Sequence, residues 1–284
     1  MAPEIGILVI HGIGNQDETF ANGLINKVNG LLKKIGVDPG AVAWEPAYWA
    51  NLLNKKEDDL LKNLSKDNPL RWTCIRRFVI NVLADAVAYQ RDQEEPQDMY
   101  RLIHAKIRGS LGNLRTKLGG EDKPLIVIAH SLGSVIASNY TWDAQSGNKY
   151  SLGANPFERM ETLANLVTIG SNIPLFTLAL PGPPTPIKFP PKGLPENLKA
   201  AAKWLNFYDP DDVLGYPLKP IYGEVVIEDI AINAGSWLSS WNPISHIEYW
   251  TDPDFTNRVA KLIRDVVDAG RNVPKKLTAE AEIS

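Results

Sequence analysis

Ala129-His130-Ser131-Leu132-Gly133 lies between the apolar run Leu125-Ile126-Val127-Ile128-Ala129 and an apolar-faced segment with helical spacing. A serine in that position becomes a nucleophile only if the chain turns sharply and lifts its hydroxyl clear of the sheet. Such a turn crowds neighbouring backbones, so small residues are needed two positions before and two after the serine. Ala129 and Gly133 meet that need. The helix that follows would aim its first N–H groups at the turn and favour a developing negative charge there. A serine that merely caps a helix has the same local pattern, so the pentapeptide has to be judged with its partners.

Acyl transfer needs two backbone donors on the oxyanion of the tetrahedral intermediate. Leu132 N–H, directly after the serine, is the expected first donor. The second is expected from His11-Gly12-Ile13-Gly14, which follows the run Ile5–Ile10, and the donor would be Ile13 N–H. Gly12 and Gly14 would give that turn its conformational freedom, and His11 is expected to fix the loop rather than act as base. In the chain order serine, acid, histidine, only His246 follows Ser131. It sits in Pro243-Ile244-Ser245-His246, a loop suited to a mobile general base. His104 falls within a helical pattern, and His130, as the immediate neighbour of Ser131, should point elsewhere. The orienting acid should come from Asp209-Pro210-Asp211-Asp212, after the strand-like Trp204–Tyr208. Asp212 is the first choice, Asp211 the second and Asp209 the third; those not used would be turn formers.

These fragments resemble the lipase and serine-esterase branch of the α/β hydrolases. His11-Gly12-Ile13-Gly14 resembles the oxyanion loop of small lipases, and Ala129–Gly133 resembles their nucleophile elbow, in its variant that begins with alanine. Asn206–Asp212 resembles the acid-bearing loop, and the ungapped alignment puts the acid at Asp212. Ser245-His246-Ile247-Glu248-Tyr249-Trp250 resembles the histidine loop, in which an aromatic pair follows the base. The resemblance implies an α/β-hydrolase fold that lacks the opening strands of the full fold. It implies a catalytic set of Ser131, Asp212 and His246 and an oxyanion hole from Ile13 and Leu132; the residues themselves show no P-loop, Rossmann fingerprint or metal-binding spacing, so no cofactor or metal is expected. It does not reach 50–118 or 172–203, which would shape the substrate pocket.

The elements that must position these residues alternate between strand and helix, which predicts a mostly parallel sheet flanked by helices. Strands are expected at Ile5–Ile10, Val42–Trp49, Leu125–Ala129, Leu166–Ser171, Trp204–Tyr208 and Glu224–Ile232. Pro46 should shorten its strand or place it near an edge. Helices are expected at 19–35, through much of 50–118, from the elbow to about Ser146, and at Phe255–Val267. The helical block 50–118 ends at Gly119-Gly120, and part of it is expected to cap the sheet edge. The proline-rich stretch 172–203 reads as a long ordered loop inserted in a single domain of 1–284. The tail from about Gly270 should fray.

Composition narrows the functional classes. The chain has 284 residues, 44% hydrophobic and 22% charged, with a net charge of −3. That balance suits a globular domain and supplies no basic field for nucleic acid or an anionic membrane. Arg101, Lys106, Arg108, Arg115 and Lys117 form a basic helix face, read as solvated rather than as a headgroup site. A lone Cys74 leaves no intramolecular disulfide or cysteine-based zinc site. It is expected to be a small buried hydrophobe. No apolar run reaches the roughly 20 residues that span a bilayer, and Ile5–Ile10 lacks a signal peptide's flanks, so a cytoplasmic location is expected. Trp237 and Trp241 are the best aromatic candidates for a substrate pocket. The expected substrate is a small-molecule or lipid ester. Acyl transfer, thioesterase or phospholipase chemistry on the same fold, or a non-catalytic binding module, are the alternatives; the oligomeric state is open.

Overall fold

A computed structural model of the chain describes residues 2–12, 16–52, 59–60, 62–64, 89, 99–147, 153–178, 182–223, 227–234 and 249–271. Within them, six strands form one parallel sheet: β1 (Ile5–Ile10), β2 (Val42–Ala47), β3 (Leu125–His130), β4 (Leu163–Ile169), β5 (Lys203–Tyr208) and β6 (Ile227–Ala231), in the order β2-β1-β3-β4-β5-β6. Every pairing is parallel. β1, β3 and β4 are buried at every position. This is why they read as continuous apolar runs and not as alternating ones: a parallel strand covered on both faces has no side that must be polar. Pro46 sits on β2, at the sheet edge, where a missing N–H is tolerated.

Two helical layers cover the sheet. Helix α1 (Asn22–Lys34) buries Leu24, Val28 and Leu32 at four-residue steps, and packs against α4 (Pro253–Arg271), which buries Phe255, Val259, Leu262, Ile263 and Val266. The other layer pairs α2 (Met99–Lys117) with α3 (Leu132–Gln145). Helix α2 lies over β2 and β1 and buries Ile103, Ile107, Leu111 and Leu114. It stops where Gly119 and Gly120 take φ of +80° and +79°, with Gly120 N–H donating back to Arg115 O at 2.9 Å. Arg115 and Lys117, on the basic face of α2, pair with Asp122 and Glu45 at 2.8 and 2.7 Å.

The strand boundaries differ from the sequence reading in places. β4 begins at Leu163, earlier than expected, because Leu163 and Ala164 are buried like the rest of that strand. The proline-rich stretch contains two short helices, Ile173–Thr177 and Glu196–Lys199, around an irregular middle. Helix α4 runs past Val267 to Arg271, which forks onto the Glu4 carboxylate at 2.7 and 2.9 Å. The expected helical positions at 75–86, Cys74, and the tail beyond Arg271 lie outside the described residues.

The chain leaves β1 toward β2 on one side of the sheet and resumes with β3 on the other. The carboxyl ends of β1 and β3 therefore flank a point where the connections diverge, and such a crevice is where open parallel sheets take their ligands. His11-Gly12 and Ser131 both lie there.

Candidate active site

Ser131 separates β3 from α3 at φ +52°, ψ −125°. A side chain in that region costs roughly 1–3 kcal/mol and persists only where the surroundings enforce it. Four hydrogen bonds do so. Ser131 N–H donates to Ile169 O at 3.0 Å, extending the ladder to β4. Ser134 N–H and Oγ both donate to Ser131 O, at 2.9 and 2.6 Å. Ser134 Oγ also meets Ser171 Oγ at 2.8 Å, fastening the turn to the end of β4. Ser131 itself is fully buried.

The turn lies directly on the end of β1. A Cβ on Gly133 would come within 2.6 Å of His11 O and 2.7 Å of Ile10 O; one on Gly12 would come within 2.5 Å of Ser131 Cβ. Gly133 thus does what the sequence reading asks of it. Gly12 does something else: its φ is not in the left-handed region, and its missing side chain is needed for space against Ser131. Gly133→Ala is expected to cost about 1–3 kcal/mol of stability, since backbone carbonyls cannot rotate out of the way as a side chain can. Urea unfolding of the variant beside wild type measures this. Leu132 opens α3, so its N–H is one of the helix donors that have no partner within the helix. Ile13 and Gly14 lie outside the described residues.

His11 is a structural residue. It is fully buried, stacked on Trp49 at 4.8 Å and 9°, with Phe20 edge-on at 4.9 Å. Nδ1 lies 2.7 Å from Gly12 O, and Nε2 accepts from Trp49 N–H at 3.1 Å, so the neutral ring with the proton on Nδ1 satisfies both. Burial pushes its pKa down to about 4. The folded state therefore binds this proton more weakly than the unfolded chain does. Its contribution is fully present above about pH 6.5 and is lost as pH falls to about 4, a difference of roughly 3 kcal/mol. Denaturant midpoints at pH 7 and pH 4.5, for wild type and His11→Gln, are expected to show a smaller fall in the variant.

The acid loop follows β5. Asp209 is buried and committed to the loop's own architecture: its carboxylate accepts Asp211 N–H at 2.9 Å and Ala234 N–H at 2.8 Å, tying the end of β5 to the chain after β6. Asp211 is exposed. Asp212 is buried, with Oδ1 accepting Leu214 N–H at 2.9 Å and Oδ2 accepting the Tyr249 hydroxyl at 2.8 Å. Gly215 makes room for it, since a Cβ there would come within 2.5 Å of Asp212 Oδ2. Tyr216 N–H donates to Ser171 O at 2.9 Å, which anchors the acid loop to the same strand end that fastens the serine turn. Ser131 and Asp212 therefore emerge at one end of the sheet, after β3 and β5, with β4 between them.

His246 lies outside the described residues, as do Trp237 and Trp241. The chain just after it is described. Tyr249 and Trp250 pack against the His130 ring at 6.0 and 5.4 Å, and Trp250 continues to Phe20. His130 thus turns into this aromatic cluster, beside the Ser131 turn. His104 belongs to the core between α2 and α3, within 2.8 Å of the Tyr89 hydroxyl and against the Tyr100 and Tyr140 rings. Sequence reasoning gave Tyr249 no role of its own beyond the aromatic pair. A tyrosine three residues after a histidine shows nothing of where its hydroxyl will find a partner. Among the described residues, no cluster of His, Cys, Asp or Glu is arranged to hold a metal ion, and no helix is long and apolar enough to cross a membrane.

No protein-family model and no curated protein matches the sequence. Solved structures with overall similarity include a pyrethroid hydrolase from Sphingobium faniae JZ-2 (14% identity, 95% of this chain and 100% of that chain, TM-score 0.35). Another is the pyrethroid hydrolase PytH with BIF (13% identity, 94% and 99%, TM-score 0.36). A third comes from work on LipS and LipT, two metagenome-derived lipolytic enzymes (12% identity, 95% and 95%, TM-score 0.34). At such scores these likenesses decide nothing by themselves. The parallel sheet and the strained strand–serine–helix turn at its carboxyl end together give the chain the α/β-hydrolase fold.

Proposed function

We propose that this chain is a serine hydrolase that cleaves carboxylic esters, of small molecules or lipids, through an acyl-enzyme. The observation that carries the reading is Ser131 at φ +52°, held against the end of β1 by two glycines that admit no side chain. A serine serving only as a helix cap needs no such backbone, since ordinary caps sit in the extended region.

Ser131 Oγ attacks the ester carbonyl and His246 takes its proton. Asp212 accepts from the imidazole, fixes its tautomer and stabilises the imidazolium. Leu132 N–H and Ile13 N–H receive the oxyanion. His246 then protonates the leaving alcohol, and water repeats the sequence to release the acid. Asp212 is favoured over its neighbours because Asp211 is exposed, and because Asp209 ties the loop to the chain after β6 whereas Asp212 meets Tyr249, three residues after His246. The segments 50–118 and 172–203 are proposed to shape the pocket by which substrate reaches Ser131.

A p-nitrophenyl ester series from acetyl to palmitoyl tests this, run with a fluorophosphonate label and mass mapping. Turnover with the label on Ser131 is the expected result. No turnover and no label would leave a binding module on this fold. Label without turnover would keep the nucleophile and move the search to thioesters, phospholipids or acyl transfer to an alcohol.

A further inference from the structure

Tyr249 links the loop after β5 to the residue beside Ser131. Its hydroxyl donates to Asp212 Oδ2 at 2.8 Å and accepts Asp209 N–H at 2.9 Å. Its ring lies against His130, next to the nucleophile, and it follows His246 by three residues in the sequence. The side chain is fully buried. We propose that Tyr249 is a positioning residue for the acid: its hydroxyl fixes the rotation of the Asp212 carboxylate, and through it the imidazole that Asp212 orients. This rests on the functional reading above.

The geometry supports a specific role. Leu214 N–H holds Asp212 by Oδ1, and the Tyr249 hydroxyl holds Oδ2 from a different element, so the two contacts together fix the rotation of the carboxylate. A carboxylate has about four acceptor sites, so two donors still leave capacity for an imidazole N–H. The donor is dependable: burial and the neighbouring Asp212 charge push the Tyr249 hydroxyl well above its ordinary pKa, so it stays protonated through the working range. The same hydroxyl receives the Asp209 N–H, so acid loop and tyrosine are set as one unit.

The test is a double-mutant cycle of Tyr249→Phe and Asp212→Asn. kcat and KM are measured on a p-nitrophenyl ester and normalised to phosphonate-titrated sites. Tyr249→Phe is expected to lower kcat per site about tenfold with KM unchanged, because the buried ring touches no substrate. In the Asp212→Asn background it is expected to change kcat less than twofold. Tyr249→Leu, which also removes the ring, should lower the melting temperature further without a further loss of kcat per site. An equal fold-loss in both backgrounds, or an unchanged kcat per site with fewer titratable sites, would reduce Tyr249 to a packing residue and overturn the proposal. If Asp212→Asn costs its expected activity while Tyr249→Phe costs none, only the positioning role fails. If Asp212→Asn or Ser131→Ala costs nothing, the functional reading fails and the positioning role goes with it.

Discussion

Ser131→Ala is expected to abolish ester turnover, by a factor on the order of 10⁶, while the protein stays folded. The size follows from the role: no neighbouring group replaces the attacking oxygen, so the residual rate is what the oxyanion donors and substrate binding provide alone. The fold should survive because the serine turn is held by backbone and by Ser134, none of which needs the Ser131 hydroxyl. Phosphonate labelling should vanish with activity. The endpoint of labelling is the readout and not its rate, since burial of Ser131 limits access. A variant that retains turnover would remove Ser131 from the mechanism.

Asp212→Asn is expected to cost about 10⁴-fold in kcat, because an amide facing the imidazole favours the wrong tautomer and withholds the charge that stabilises the imidazolium. Two neighbours make the experiment decisive. Asp211→Asn should leave activity unchanged, since that side chain is exposed. Asp209→Asn should cost stability instead, roughly 1–3 kcal/mol, because an amide cannot accept both the Asp211 and the Ala234 N–H. Should the large kinetic loss follow Asp209 or Asp211, the acid has been misassigned.

How much of this was legible in the sequence depends on whether the signal was local. β1 and β3 announce themselves because burial on both faces makes a strand almost uniformly apolar. The serine turn announces itself because steric crowding restricts residue type within a few positions. Pro46 pointed to a shortened strand or an edge position, and β2 lies at the edge, where a missing N–H is tolerated. What stayed hidden is non-local. Gly12 looks like a turn glycine until Ser131, far along the chain, is set against it. Three aspartates in one loop are nearly equivalent as text; they separate only when Ala234, Leu214 and Tyr249 arrive as partners. The start of β4 was missed because Leu163-Ala164-Asn165 contains an asparagine; buried Asn165 reaches Ala201 O with its amide.

The sheet order has a consequence for synthesis. β1 pairs with β2 on one edge, but its other partner, β3, is made more than a hundred residues later. At about 5–20 residues per second, Ile5–Ile10 waits on the order of ten seconds with an open edge. It carries no charge and no proline within that run, the composition of a segment prone to pair with the wrong chain. Gly12 and the Ser131 turn meet only when that edge closes. The packing around Ser131 is thus completed late and all at once, and yield during expression should be governed by how well the first strand is shielded while it waits.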